Sequence, residues 1–175
     1  NQKTAFINNT LRTNIDWDDM DLTTTGSIPN TQSARLPDYY VTNKFKMIKR
    51  FNGQHLITFQ SVNEWESLPQ TLSLNTGGDT FRQHISDHAF YTQESAAYAF
   101  IIKGVTLSLE GGIKGYLRSM DSRLPELPEE LPGLTENIVN TNYLTVYAIP
   151  KFEYWVRRVN LSLNLPVSYA HYNFD

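Results

Sequence analysis

Residues 143–172 read YLTVYAIPKFEYWVRRVNLSLNLPVSYAHY, and this run decides the fold. Tyr143 to Val156 forms one arm, Arg157-Arg158 a tight break, and Val159 to Tyr172 the return arm. On the return arm Val159, Leu161, Leu163, Leu165, Val167 and Tyr169 fall on one face, while Asn160, Ser162, Asn164 and Ser168 fall on the other. Strand side chains alternate faces with period two, so the pattern predicts a long β-hairpin with one apolar face. Its arms exceed the ~5–6 residues of an ordinary strand and reach the ~9–11 that cross a bilayer within a barrel.

Upstream, the same pattern repeats between turn signals. Phe45 to Phe51 reads as a strand and Asn52-Gly53 as a type I′ turn, whose two central residues both need positive φ. His55 to Trp65 is the partner strand. A loop containing Leu68-Pro69, a short strand at Thr71–Leu74 and a turn at Asn75–Asp79 are expected next. Phe81 to Ile102 holds a strand expected to bend or break around Gln93–Ala97, and Lys103-Gly104 turns the chain. In Val105 to Leu117, the residues Val105, Leu107, Leu109, Ile113 and Leu117 face one way; Glu110, Lys114 and Arg118 face the other. A Pro/Glu-rich loop over residues 121–137 leads into the opening hairpin.

Two regions are therefore expected. Residues 1–43 are polar and loop-rich, with at most a short strand near Ala5–Trp17; residues 44–175 form an antiparallel meander. The predicted fold is all-β: an up-and-down meander of long strands, forming part of an outer-membrane-type β-barrel or a small barrel of its own. Tight connections at Asn52-Gly53, Lys103-Gly104 and Arg157-Arg158 alternate with long ones at 66–79 and 121–137. A meander would put the tight turns at one end and the long loops at the other, as in outer-membrane barrels. Tyr154 and Trp155, beside the Arg157-Arg158 turn, are placed for an interfacial aromatic girdle.

Composition narrows the function. The net charge of −3 offers no basic face for nucleic acid, so no nucleic-acid partner is expected. With 19% charged and 40% hydrophobic residues the chain carries enough apolar content to fold. There is no cysteine, hence no disulfide or thiolate metal site. No run approaches the ~18 apolar residues of a membrane helix, which leaves barrels open because alternating strands average out in hydropathy.

No catalytic, cofactor-binding or metal-binding residue is assigned. His84 and His88 flank Asp87 at a spacing that would hold zinc on a helix, but Ile85 stands where the metalloprotease signature needs Glu, and the stretch reads as strand. The cluster Asp16, Asp18, Asp19 and Asp21 fails the calcium-loop pattern: Asp21 and Ser27 hold the positions of the required Gly and Glu. Glu126, Glu129 and Glu130 share one proline-rich loop, which cannot easily put two carboxyls on opposite sides of a glycosidic bond. Gly111-Gly112-Ile113-Lys114-Gly115 lacks the ending of a phosphate loop. No enzyme activity and no cofactor are expected.

Several runs carry a family likeness: YYVTNKFKMIKR at 39–50, LITFQSVNE at 56–64, LPQTL at 68–72, AFYT at 89–92, PKFEY at 150–154 and VNLSLNLPVSY at 159–169. Together they resemble the barrel region of Bacteroidetes-type TonB-dependent outer-membrane receptors. The resemblance spans about residues 36–174. It implies a piece of a barrel in the outer membrane of a Gram-negative cell that takes up a bound substrate. The partners it implies are the remaining barrel strands, a plug, outer-membrane lipid, TonB acting through a region outside this chain, and a transported ligand. The family's barrels have about 22 strands, of which this chain supplies about a third. Its Asn1 start and the strand pattern still running at Phe174 agree with a piece of a longer protein, whose uncovered apolar face and open edges are expected to drive self-association. The alternative is a soluble β-sandwich or lipocalin-like module binding carbohydrate or an apolar ligand; a hydrolase is the third reading.

Overall fold

The computed structural model describes residues 5–25, 30–124, 136–156 and 158–174. They form β1 (Ala5–Thr24), β2 (Asn30–Phe51), β3 (His55–Thr76), β4 (Asp79–Ile102), β5 (Val105–Arg123), β6 (Glu136–Val156), β7 (Val159–Asn164) and β8 (Val167–Phe174). All belong to one antiparallel sheet in the order β1-β2-β3-β4-β5-β6-β7, with β8 also on β6. The all-β meander expected from the sequence is the fold. Among the described residues the sheet is open, with β1 at one edge and β7–β8 at the other, and there is no second layer.

β7 and β8 act as one stave. Lys151↔Asn164 and Ala148↔Val167 keep one register across the gap at Leu165-Pro166. Leu165 N donates to Pro150 O at 3.1 Å, but Pro150 has no N–H to return. The interruption is thus two prolines, one on each side of the pair, and the hairpin read from the sequence holds together through it.

The turns obey the chemistry that predicted them. Asn52 (φ 48) and Gly53 (φ 72) both adopt the left-handed conformation that a type I′ turn requires. Lys103 (φ 44) and Gly104 (φ 85) repeat it, with a lysine in a position that L-residues avoid. Arg157, and with it half of the predicted Arg157-Arg158 turn, lies outside the described residues, as do Glu126, Glu129 and Glu130.

Three expectations need correction. First, residues 66–79 are not a long loop around a separate short strand. β3 runs unbroken to Thr76, and Gly77 (φ 59) and Gly78 (φ 97) make a tight turn. Pro69 is accommodated because it faces Pro37: the β2–β3 ladder lapses over residues 36–38 and 68–70, while the β3–β4 ladder is continuous. The two missing N–H groups thus fall in one gap. One tight turn therefore lies at the end expected to carry only long loops. Second, β4 does not break at Gln93–Ala97. Its polar residues there are simply members of a two-faced strand. Third, residues 5–24 and 30–43 are strand rather than loop, and β2 passes 43–44 without a break. On β1 the outward positions alternate apolar and polar (Ile7, Asn9, Leu11, Thr13, Ile15), so the apolar repeat is four residues and hides the strand period.

Candidate functional site

Direct cross-strand partners share a face, so the registers sort every residue to one side of the sheet. One row, Phe51, His55, Phe100, Leu107, Phe152 and Leu163, links six staves on a single face. On β6 the residues of this face (Leu144, Val146, Ala148, Pro150) are exposed, and those of the other (Tyr143, Thr145, Tyr147, Ile149) are half-buried. β5 behaves alike: Leu107, Leu109, Ile113 and Leu117 are exposed, and Ser108, Glu110, Lys114 and Tyr116 half-buried. Side chains crowd on the inside of a curved sheet, so over β4 to β6 the first face is convex and the second concave, and the two faces are called convex and concave along the whole sheet.

The concave face is a polar wall. Arg118 forks onto Asp87, Nε to Oδ1 at 2.9 Å and Nη2 to Oδ2 at 2.5 Å, and Asp87 is only 8% exposed. Lys151 Nζ donates to Glu110 at 3.0 Å, and Lys44 stands 3.9 Å from Glu64. A line of tyrosines crosses this wall because register puts Tyr91, Tyr116, Tyr143 and Tyr172 side by side. Tyr116 and Tyr143 stack at 5.5 Å, and Tyr143 and Tyr172 lie 5.9 Å apart. Lys114 sits 5.6 Å above the Tyr147 ring, which itself lies over Gly112. The sequence identified Glu110, Lys114 and Arg118 as one polar face; the ion-pair partners and the tyrosine line depend on register and were not readable from spacing.

The convex face changes character along the strands. From the Asn52-Gly53 and Lys103-Gly104 turns upward each stave carries apolar residues on it: Phe45 and Met47, Ile57 and Phe59, Tyr98 and Phe100, Leu107 to Leu117, Phe152 and Tyr154, with Asn9, Thr13, Asn43, Lys49, His55, Ser61, Asn63, Thr92 and Glu94 interspersed on β1 to β4. The band ends at Trp17, Tyr39, Trp65, Phe90 and Leu117. Beyond it the convex face is polar, with Asp19, Arg35, Thr71, His84 and Arg123 in one row. There the apolar residues move to the concave side. Met20, Leu22, Ala34, Leu72, Leu74 and Phe81 line a hollow of about 420 Å³. Tyr154 faces out with the band, while Trp155 falls on the concave side, so only the tyrosine sits where a girdle would use it.

The residues weighed as metal ligands are dispersed. His84 and His88 share the convex face, as a strand requires, but Asp87 points the other way into Arg118. Asp16 and Asp18 face the concave side, and Asp19 and Asp21 the convex. Among the described residues no group of three or more His, Asp or Glu is placed to hold one ion.

The class defined by these features is an antiparallel all-β meander with a polar concave wall and a convex face divided into an apolar and a polar zone. No protein-family model matches the chain, and no curated protein does. Among solved structures, the outer membrane transporter YddB from Escherichia coli aligns over 94% of this chain and 29% of its own length, at 10% identity and a TM-score of 0.44. The membrane pore complex of pneumolysin aligns over 98% of this chain and 30% of its own, at 10% identity and a TM-score of 0.15. The chain thus spans less than a third of either structure, and likeness at this level assigns no family.

Proposed function

We propose that this chain is part of the wall of an outer-membrane β-barrel receptor that takes up a bound substrate. The observation that carries the reading is the inversion of faces at one level across five strands. A soluble sheet keeps its apolar side toward one core along its whole length. A barrel wall that leaves the bilayer must turn polar outside at the point of exit. The convex band on β5, Val105 to Leu117, is about 40 Å long at ~3.4 Å per residue. Tilted by ~40°, it stands about 30 Å tall, the thickness of a hydrocarbon core. Trp17, Tyr39, Trp65 and Phe90 at one rim and Phe51, Phe100 and Tyr154 at the other suit the two aromatic girdles. Lys49 lies at the lower rim with its Nζ 4.9 Å over the Phe51 ring, where a long cation can reach water.

Strands β1 to β6 run 19–24 residues and so extend well past the band. Their polar-outside, apolar-inside halves then rise beyond the membrane and surround the entrance to the lumen. The Met20–Leu72–Phe81 hollow lines that entrance, and the Asp87–Arg118 wall follows below it. Energy supplied through TonB, a plug, the remaining staves and lipid on the convex band complete the reading; it is the runs at 39–50, 56–64 and 159–169 that favour the TonB-dependent class. The test is to produce the full-length protein in a Gram-negative host with and without TonB. The expected result is outer-membrane residence and ligand uptake that disappears without TonB. Uptake indifferent to TonB would reject the energised mechanism, and recovery of the protein from the periplasm would reject the barrel.

A further inference from the structure

One part of the convex band does not fit lipid. Inside it, with apolar residues above and below, lies a polar enclave on β1 to β4: Asn9, Asn43, Ser61, Asn63, Thr92 and Glu94. Register places Ser61 beside Glu94 and Asn63 beside Thr92 on this face. Ser61 Oγ donates to Glu94 Oε1 at 2.6 Å, Asn63 Nδ2 to the same oxygen at 3.4 Å and to Ser61 Oγ at 2.9 Å. Asn43 Nδ2 donates to Asn9 Oδ1 at 3.1 Å. Below the enclave on β4 come Ala96, Tyr98, Phe100 and Ile102, and above it Phe90; on β3 it is bracketed by Phe59 and Trp65. Register puts Glu94 on the face opposite the Asp87–Arg118 wall, away from the proposed lumen.

A carboxylate and several amides at that depth meet nothing in hydrocarbon that can hydrogen-bond. The internal bonds engage Glu94 Oε1 alone, and each asparagine amide has donor or acceptor capacity to spare. The enclave therefore needs a protein neighbour that offers both donors and acceptors. From this, and resting on the barrel reading above, we propose that the convex face of β2 to β4 is the contact between two copies of this protein in the membrane. The donor and acceptor content makes the patch complementary to itself. With a two-fold axis along the membrane normal and passing by Ser61 and Asn63 on β3, β4 of one copy stands opposite β2 of the other. Glu94 then accepts from Asn43 of the partner subunit, and the symmetric bond forms on the other side of the axis. Two-fold contacts of this isologous kind are the commonest between identical chains. Phe45, Met47, Phe59, Trp65 and Phe90 surround the polar centre and supply the apolar rim of the contact.

This chain contributes no cysteine, so with any cysteine elsewhere in the protein replaced by serine an introduced one reports alone. In the full-length protein, in outer membranes, Asn63→Cys is exposed to a mild oxidant. Leu163→Cys, on the convex face far from the enclave, serves as control. The proposal expects a shift of Asn63→Cys to twice the monomer mass, no shift for Leu163→Cys, and loss of the dimer from the otherwise native protein when Glu94→Leu is introduced. No cross-link at Asn63→Cys, together with a monomeric Glu94→Leu variant that melts higher than a monomeric parent, would overturn it and leave the barrel reading standing. A cross-linked product of another mass would identify a different protein on this face and overturn the choice of a second copy. Labelling of Leu109→Cys, in the middle of the band, by a membrane-impermeant maleimide would instead show the band to be wet, and would remove the barrel reading and this proposal together.

Discussion

Gly111 and Gly112 are neighbours on β5 and point to opposite faces, so replacing each by alanine tests the packing of the two sides separately. A Cβ added at Gly112 would lie 2.5 Å from Glu94 O, 2.7 Å from Tyr147 Oη and 2.8 Å from Tyr147 Cζ. The tyrosine ring can rotate away, but Glu94 O belongs to the ladder that joins β4 to β5. Ordinary C···O contacts begin at ~3.3 Å, so ladder or side chain must yield by about 0.8 Å, and overpacking of this kind costs about 1–3 kcal/mol. A Cβ at Gly111 meets nothing closer than Tyr147 O at 3.7 Å. There Gly→Ala removes the entropic penalty of glycine in a strand and stabilises by roughly 0.5–1 kcal/mol. The two variants should thus differ by about 1.5–4 kcal/mol, with opposite signs. Equilibrium urea unfolding of the full-length protein into lipid vesicles, followed by tryptophan fluorescence, reads the difference. Equal effects at the two positions, or a more stable Gly112→Ala, would refute the close approach of Glu94 O and Tyr147 to the Gly112 site.

Other outcomes follow from the same geometry. Asp87→Ala should destabilise by about 1–3 kcal/mol, because it strands the Arg118 fork; the figure is kept below that of a fully buried pair since Arg118 is partly exposed. Asp87→Ala and Arg118→Ala should be non-additive in a double-mutant cycle of the same unfolding assay. Gly104→Ala should cost about 1–2 kcal/mol, since φ is +85 and a Cβ would press on Trp155 O at 3.1 Å. Lys103→Asn at the preceding position should stabilise the turn by a few tenths to about 1 kcal/mol, as asparagine tolerates φ near +50 better than lysine. Leu109→Arg, in the middle of the convex band, should cost about 2–4 kcal/mol in vesicles, whereas Ser119→Arg, two residues past its rim, should change stability by less than about 1 kcal/mol.

The strand content of this chain was visible where alternation keeps one phase. Val105 to Leu117 and Val159 to Tyr169 have apolar residues at every second position or a glycine between them, and both are strand in the structure apart from the lapse at Leu165-Pro166. β3 was broken in two because its phase changes. Ile57, Phe59 and Trp65 are odd-numbered and convex; Leu68, Leu72 and Leu74 are even-numbered and concave. Read alone, that change looks like a loop between two strands. In a continuous strand it is the inversion of faces on which the proposed barrel reading rests. Pro69 reinforced the misreading, since only the register reveals Pro37 across from it. The concave wall was half legible: Glu110, Lys114 and Arg118 could be put on one face from spacing, but Asp87, Lys151 and the tyrosines join them through pairings of distant segments. The Glu94 enclave had no sequence signal at all, because its members come from four strands and each looks like an ordinary polar residue.

A cysteine scan of β3, in the full-length protein with any cysteine outside this cysteine-free chain replaced by serine, tests the inversion of faces. Single cysteines at Ile57, Phe59, Thr71 and Ser73, all convex, would be probed in intact outer membranes with a membrane-impermeant maleimide and with a lipid-soluble one. Ile57→Cys and Phe59→Cys should react only with the lipid-soluble reagent, and Thr71→Cys and Ser73→Cys with both. Uniform labelling of all four by the impermeant reagent would contradict the inversion, because the convex face would then meet water along its whole length.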